Sequence, residues 1–208
     1  MFANILYCLA LITLSPLIAY RMIRHGRYRR GIRQKLFGLS AAEARRLNRG
    51  EQCIWLHAVS VGEVNLFPGL VRQIQAADPA QSVVVSTSTD TGYDLACQKY
   101  GTERVFFCPL DFSWAVRRTL SHLRPRLLIL AELELWPNLT TETRRYGADV
   151  VVVNGRLSHR STVGYRRSKW LTRPIFASLS HVICQDRLTA ERFATAARRP
   201  TESASAVR

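Results

Sequence analysis

Short runs of Val, Ile and Leu alternate along this chain with longer stretches whose apolar residues recur every three or four positions. The runs 53–59, 82–88, 104–108, 127–131, 148–154 and 181–185 predict strands, and the stretches 64–77, 91–100, 113–123, 137–146 and 162–179 predict amphipathic helices. A last helical pattern covers 188–197. Strands that are almost continuously apolar, each handing over to a helix, indicate a parallel sheet covered on both faces. The fold class is therefore α/β, a Rossmann-like domain with right-handed crossovers. Pro68-Gly69 leaves two readings of the first helix: it starts near Pro68, or it is kinked there.

In such sheets ligands collect where strands end and helices begin. Four strand ends here carry polar groups. The first is His57-Ala58-Val59-Ser60-Val61-Gly62-Glu63, an apolar strand stopped by a tight glycine turn. Glu63 stands where a catalytic carboxylate would be placed, and also where a first-turn acid would complement a helix dipole. The second is Glu132-Leu133-Glu134-Leu135-Trp136-Pro137-Asn138. Its two acids, one residue apart, share a face if the strand continues through them. A helix beginning at Pro137 gives one of them a structural use. The third, Asn154-Gly155-Arg156-Leu157-Ser158, suits a polyhydroxy or phosphorylated ligand, or is a plain polar loop. The fourth, Ser86-Thr87-Ser88-Thr89-Asp90-Thr91-Gly92, is a hydroxyl-rich turn that can bind an anion or supply N-caps.

Composition adds a membrane to the picture. At 47% hydrophobic and 22% charged, the 208 residues are those of a globular protein. The net charge of +15 is concentrated near the start. Residues 2–20 carry no charged side chain and as a helix would span about 28 Å, close to the hydrocarbon thickness of a bilayer. Arg21, Arg24, Arg27, Arg29, Arg30, Arg33 and Lys35 follow, with no acid before Glu43. This order predicts a membrane-anchor helix, a domain on the cytoplasmic face and attraction to anionic membrane lipids. A cleaved signal peptide fits poorly, because no basic region precedes the apolar run. Ser15-Pro16 leaves shallow insertion open beside a full span. No zinc-finger, RNP or helix-turn-helix pattern follows the arginines, so no nucleic acid partner is expected. The five cysteines are widely spaced with no C-x-x-C pair, which suits a reducing compartment and predicts no metal site. The chain divides into an anchor (1–20), a basic juxtamembrane segment (21–50), the Rossmann-like domain (51–195) and a small, polar tail (196–208).

Ser60-Val61-Gly62-Glu63, the E-x-E-L-W-P-N run from Glu132, and Asn154-Gly155-Arg156-Leu157-Ser158 with Arg160, Ser161 and Tyr165 resemble, in order and spacing, the amino-terminal half of the 3-deoxy-D-manno-octulosonic acid (Kdo) transferases. The resemblance runs from about Phe2 to Phe193 and implies the following. The fold would be the amino-terminal half of a two-domain GT-B glycosyltransferase, preceded by its anchor. The reaction would move Kdo from CMP-Kdo to the lipid A precursor at the bacterial inner membrane, with no metal or other cofactor. Glu63 would be the general base and Glu132 a stabiliser of the transition state, while Glu134 has no assigned role. Ser60, Gly62, Asn154, Arg156 and Ser158 would bind the acceptor. Gly155 stands where the family usually has Ala. The donor domain, with a basic residue the family uses, has no counterpart in this chain, which reads as truncated and alone inactive. A non-catalytic, membrane-bound lipid- or partner-binding module is the alternative.

Overall fold

Side chains alternate across a strand, and in β1 (Cys53–Ala58) both faces are apolar: Cys53 and Trp55 point one way, Ile54, Leu56 and Ala58 the other. The same alternation separates Leu128 and Leu130 from Ile129 in β4 (Pro125–Leu130). Such strands need a helical layer on each side. A computed structural model of the chain, which describes residues 2–25, 29–49, 51–133, 136–157, 164–165 and 169–197, supplies both layers. On the Trp55 face lie α2 (Ile32–Phe37), α3 (Ala41–Asn48), α7 (Ser113–Leu123) and α8 (Pro137–Tyr146). On the Leu56 face lie α4 (Val61–Val64), α5 (Phe67–Ala77) and α6 (Asp90–Tyr100). Trp55, Phe67 and Phe106 are the largest fully buried side chains, each stabilising the fold by about 2–3 kcal/mol.

The remaining strands are β2 (Ser82–Thr87), β3 (Val105–Phe107), β5 (Asp149–Gly155) and β6 (His181–Cys184). All pairings are parallel, in the order β3-β2-β1-β4-β5-β6. The chain winds outward from β1 to β3, then returns to lay β4 on the other side of β1. Connections on the two sides of β1 and β4 leave in opposite directions, and this opens a crevice at their carboxyl ends. Helices α9 (Lys169–Ser178) and α10 (Arg187–Ala197) complete the far side.

The expected strands and most expected helices are present with ends shifted by a residue or two; of the helix expected over 162–179, Lys169–Ser178 is seen as a helix, and 162–163 and 166–168 lie outside the described residues. The first expected helix is two helices, and Pro68 occupies the opening turn of α5, where a missing N–H is harmless. The basic segment 21–50 also contributes more than charge. Leu39, Ala44 and Leu47 are buried, and a Ser40–Glu43 capping box starts α3. Gln34 Oε1 accepts the Phe107 N–H on the outer edge of β3, at 2.9 Å, closing that edge to strand addition.

The expected anchor segment is helical, as part of α1 (Phe2–His25). Among the described residues no helix is long and apolar enough to cross a membrane. The opening turns of α1 are tied to the domain instead. Asn4 Nδ2 donates to Ser113 Oγ at 2.7 Å, the Ser113 N–H donates to Asn4 Oδ1 at 3.1 Å, and the Tyr7 hydroxyl donates to Asp111 at 3.0 Å. Ile5, Leu6, Leu9 and Ile12 remain exposed on α1.

Two glycines in the chain separate backbone strain from simple flexibility. Gly38 sits at φ +73°, and a Cβ there would lie 2.2 Å from the Ala115 carbonyl oxygen. A Cβ on Gly69 meets nothing within 4 Å. Gly38→Ala is expected to lower unfolding stability by about 2–3 kcal/mol. Gly69→Ala, inside α5, is expected to raise it by about 0.5–1 kcal/mol. Urea denaturation of both variants checks the pair; equal effects would contradict the packing around Gly38.

Candidate active site

The two carboxylates singled out in the sequence follow the carboxyl ends of β1 and β4. His57 pairs with Leu130, and the Ala131 N–H donates to the His57 carbonyl at 3.0 Å. Val59 and Glu132 each follow this last pair by two residues. Glu63 returns to Val59 from α4. Its Oε2 accepts the Val59 N–H at 2.7 Å and its Oε1 accepts the Ser60 hydroxyl at 2.9 Å. Glu63 thus satisfies the main-chain donor of the residue just before the N-cap of its helix. The carboxylate remains half-buried, with lone pairs left for a further donor. From the other side, Thr89 Oγ1 donates to the Val59 carbonyl at 3.0 Å and accepts the Gly92 N–H at 3.1 Å. The hydroxyl-rich turn therefore supplies an N-cap to α6, one of its two expected uses.

Glu132 is held differently. Ala131 before it is buried, and Leu133 and Trp136 after it pack against the core. This anchoring leaves the half-buried Glu132 at the rim. Its Oε1 accepts from Asn154 Nδ2 at 3.3 Å, and Gln185 Nε2 donates to Asn154 Oδ1 at 2.5 Å. The expected capping of α8 by these acids does not involve Glu132. Asp111, from the loop after β3, takes the Asn138 N–H at 3.0 Å and the Leu139 N–H at 2.7 Å. Neither Glu63 nor Glu132 takes part in an ion pair among the described residues.

Of the other expected residues, Ser60 touches Glu63, and Asn154 touches Glu132. Gly62 is exposed, with only Ser60 Oγ, at 3.8 Å, near its missing Cβ. Arg156 is exposed beyond β5. Ser158, Glu134, Arg160 and Ser161 lie outside the described residues. Among the described residues no group of three His, Cys, Asp or Glu side chains could hold a metal ion, and none of the five cysteines forms a disulfide. Sequence reading passed over Asp111 and Gln185. Asp111 follows the run 104–108 by three residues and Gln185 closes the run 181–185, and no motif marks either.

The profile of the family described as "3-Deoxy-D-manno-octulosonic-acid transferase (kdotransferase)" matches residues 29–206. The chain belongs to the Kdo transferase family. It is 36% identical over 146 residues to a 3-deoxy-D-manno-octulosonic acid transferase of Haemophilus influenzae, covering 69% of this chain and 34% of that protein. A protein of the same name from Chlamydia pneumoniae is 30% identical over 195 residues, covering 92% and 44%. A bifunctional glycosyltransferase/methyltransferase of Fusobacterium nucleatum is 35% identical over 147 residues, covering 69% and 23%. The chain spans less than half the length of these relatives. The family match also takes in most of 196–208, the segment set apart in the sequence.

In this Kdo transferase family member the rim also contains two buried titratable groups. His57 is fully buried, and its Nδ1 lies 2.9 Å from Ser86 Oγ, which accepts the Trp55 indole N–H at 2.8 Å. Burial pulls the imidazole down to about 4. Burial also lifts the Asp111 carboxyl to about 6, against the hydrogen bonds from Asn138, Leu139 and Tyr7 that favour its charge. Both line a small cavity of about 50 Å³ with Lys35, Ser88 and Trp136.

The two groups act oppositely on stability. The unfolded chain protonates His57 below 6.5, the folded one only near 4, so the His57 contribution grows with pH across that window. The folded chain keeps Asp111 protonated up to about 6 while the unfolded chain releases the proton near 3.8, so the Asp111 contribution falls with pH. Asp111→Asn is expected to steepen the rise of unfolding free energy between pH 4 and 6, by roughly 1 kcal/mol per pH unit. His57→Gln is expected to produce the reverse slope. Urea titrations of the three proteins at several pH values check this, and parallel profiles would contradict it.

Proposed function

We propose that this chain forms the acceptor-binding part of a Kdo glycosyltransferase, with Glu63 as its general base. The observation that supports the reading is that Glu63, held on Val59, and Glu132 follow the carboxyl ends of the adjacent strands β1 and β4 in a Kdo transferase family member. In the reaction proposed, an acceptor sugar hydroxyl of a lipid A precursor gives its proton to Glu63, and its oxygen attacks the anomeric carbon of Kdo. The bond from that carbon to the CMP phosphate oxygen breaks, and CMP leaves with the electron pair. A hydroxyl is a poor nucleophile at neutral pH, so a base in hydrogen-bond reach is required. Positive charge develops at the anomeric carbon, and the Glu132 carboxylate stabilises it. Ser60, by holding Glu63, and the open approach at Gly62 shape the acceptor side, while Arg156 and Ser158 would meet its polar groups. The CMP-Kdo donor would be presented by the second half of a GT-B architecture, corresponding to the length of the relatives that this chain does not span.

The exposed apolar side chains of α1 and the arginines after it would hold the domain against the cytoplasmic face of the bacterial inner membrane. That placement brings an acyl-chain-bearing acceptor to the crevice.

The test is Kdo transfer from CMP-Kdo to a lipid A precursor, followed by mass spectrometry, with this chain mixed with the donor half of a Kdo transferase. Transfer is expected from the mixture and not from either part alone. Glu63→Gln, whose amide oxygen still accepts the Val59 N–H while its NH2 donates to the Ser60 hydroxyl in the reverse direction, is expected to lower transfer by about a hundredfold or more with little change in melting temperature. Parental transfer by Glu63→Gln would remove Glu63 from the role of base.

A further inference from the structure

We propose that Asn154 and Gln185 are positioning residues for Glu132, arranged as a one-way hydrogen-bond relay, and that Asn154 does not bind the acceptor. The inference rests on the reading of Glu132 as the carboxylate facing the developing positive charge.

The direction of the relay follows from donor and acceptor inventory. An ionised carboxylate only accepts hydrogen bonds, so Asn154 must turn its NH2 toward Glu132. Its carbonyl oxygen then faces the other way, and only a donor can satisfy it. Gln185, directly after β6, presents its own NH2 there. Both ends of the Asn154 side chain are engaged, the NH2 with Glu132 and the oxygen with Gln185, so its orientation is set by these two side chains.

The backbone is deformed to make this contact. Val152 pairs with Val182 and Gly155 with Cys184, so three steps along β5 match two along β6. This is a bulge, which re-aims a side chain at a sheet end. Asn154 sits within it at φ +56°, the left-handed region that Asn tolerates better than most residues. Gly155 permits the close approach of β6 that brings Gln185 within reach. A Cβ on Gly155 would stand 2.9 Å from Val182 Cγ1 and 3.3 Å from the Phe193 ring. The relay thus joins the ends of three neighbouring strands, with its last member on the carboxylate.

The relay's polarity yields a distinctive variant. Gln185→Glu replaces a donor by an acceptor. The Asn154 amide must then turn over to donate to the new carboxylate, and it presents its oxygen to Glu132. Gln185→Glu is therefore expected to lower kcat as much as Asn154→Ala, about ten- to a hundredfold, with the KM for the lipid acceptor unchanged. Gln185→Ala, where water can donate in place of the lost amide, is expected to lose less. Adding Gln185→Glu to Glu132→Gln is expected to cost nothing beyond Glu132→Gln alone. The assay is the transfer reaction with the donor half supplied. Side-chain amide NMR signals of Asn154 in this chain give a second readout that needs no turnover, and they are expected to shift in Gln185→Glu.

If Glu132→Gln impairs transfer while Gln185→Glu retains parental kcat, the relay is overturned and the proposed function stands. A rise in acceptor KM with kcat intact in Asn154→Ala overturns it as well, by making Asn154 an acceptor contact. Parental kcat in Glu132→Gln would instead sink the catalytic reading of Glu132 on which the relay depends.

Discussion

A parallel α/β sheet delivers its helices to the carboxyl rim N-terminus first, and every such start brings main-chain N–H groups that no helix carbonyl can accept. The rim of this protein is organised around satisfying them. Asp111 takes two from α8, Asn4 takes one from α7, Thr89 takes one from α6, and Asp186 takes one from α10. Glu63 takes the N–H of Val59 just before α4. Most polar side chains at the rim are thus accounted for by the fold. What distinguishes Glu132 is that Asp111 relieves it of that duty. Its described polar contact is with a side chain, Asn154, and it stays at the mouth of the crevice.

Long-range capping also explains why α1 belongs to the domain. Asn4 and Tyr7 reach residues more than a hundred positions later, at the starts of α7 and α8. Tyr7 and Asn138 meet on Asp111, and Asn4 bridges Ser113 and Asn138. A helix that reads as an independent apolar segment is therefore part of the same polar cluster that organises the rim.

The legible part of the sequence is the part governed by local periodicity. Residues such as Trp55, Leu56, Leu128 and Ile129 announce strands with two buried faces, and the abrupt polar endings at Ser60 and Glu132 mark the rim. Helices α2 and α3 were hidden because the apolar residues in them, Leu36, Ala44 and Leu47, and Leu39 between them, are scattered among arginines that dominate any reading by charge. Asp111 was hidden for a different reason. Its partners are main-chain groups of residues 138 and 139, and nothing local to Leu110-Asp111-Phe112 signals a helix start elsewhere in the chain. Gln185 is the same case, since its role exists only through a bulge in a neighbouring strand.

The two carboxylates consequently depend on the fold in unequal ways. Glu63 is held by groups three and four residues away, on its own turn, so its orientation is set as soon as β1 and α4 form. Glu132 is held through Asn154 and Gln185, residues 22 and 53 positions later, the second of them beyond the edge strand β6. That strand is the least covered of the six, with His181 and Ile183 exposed, whereas β1 is buried along its whole length. Strands with few buried contacts open locally at lower free-energy cost than the core. The hydrogen bonds that hold Glu132 through Asn154 and Gln185 therefore depend on β6 staying paired with β5.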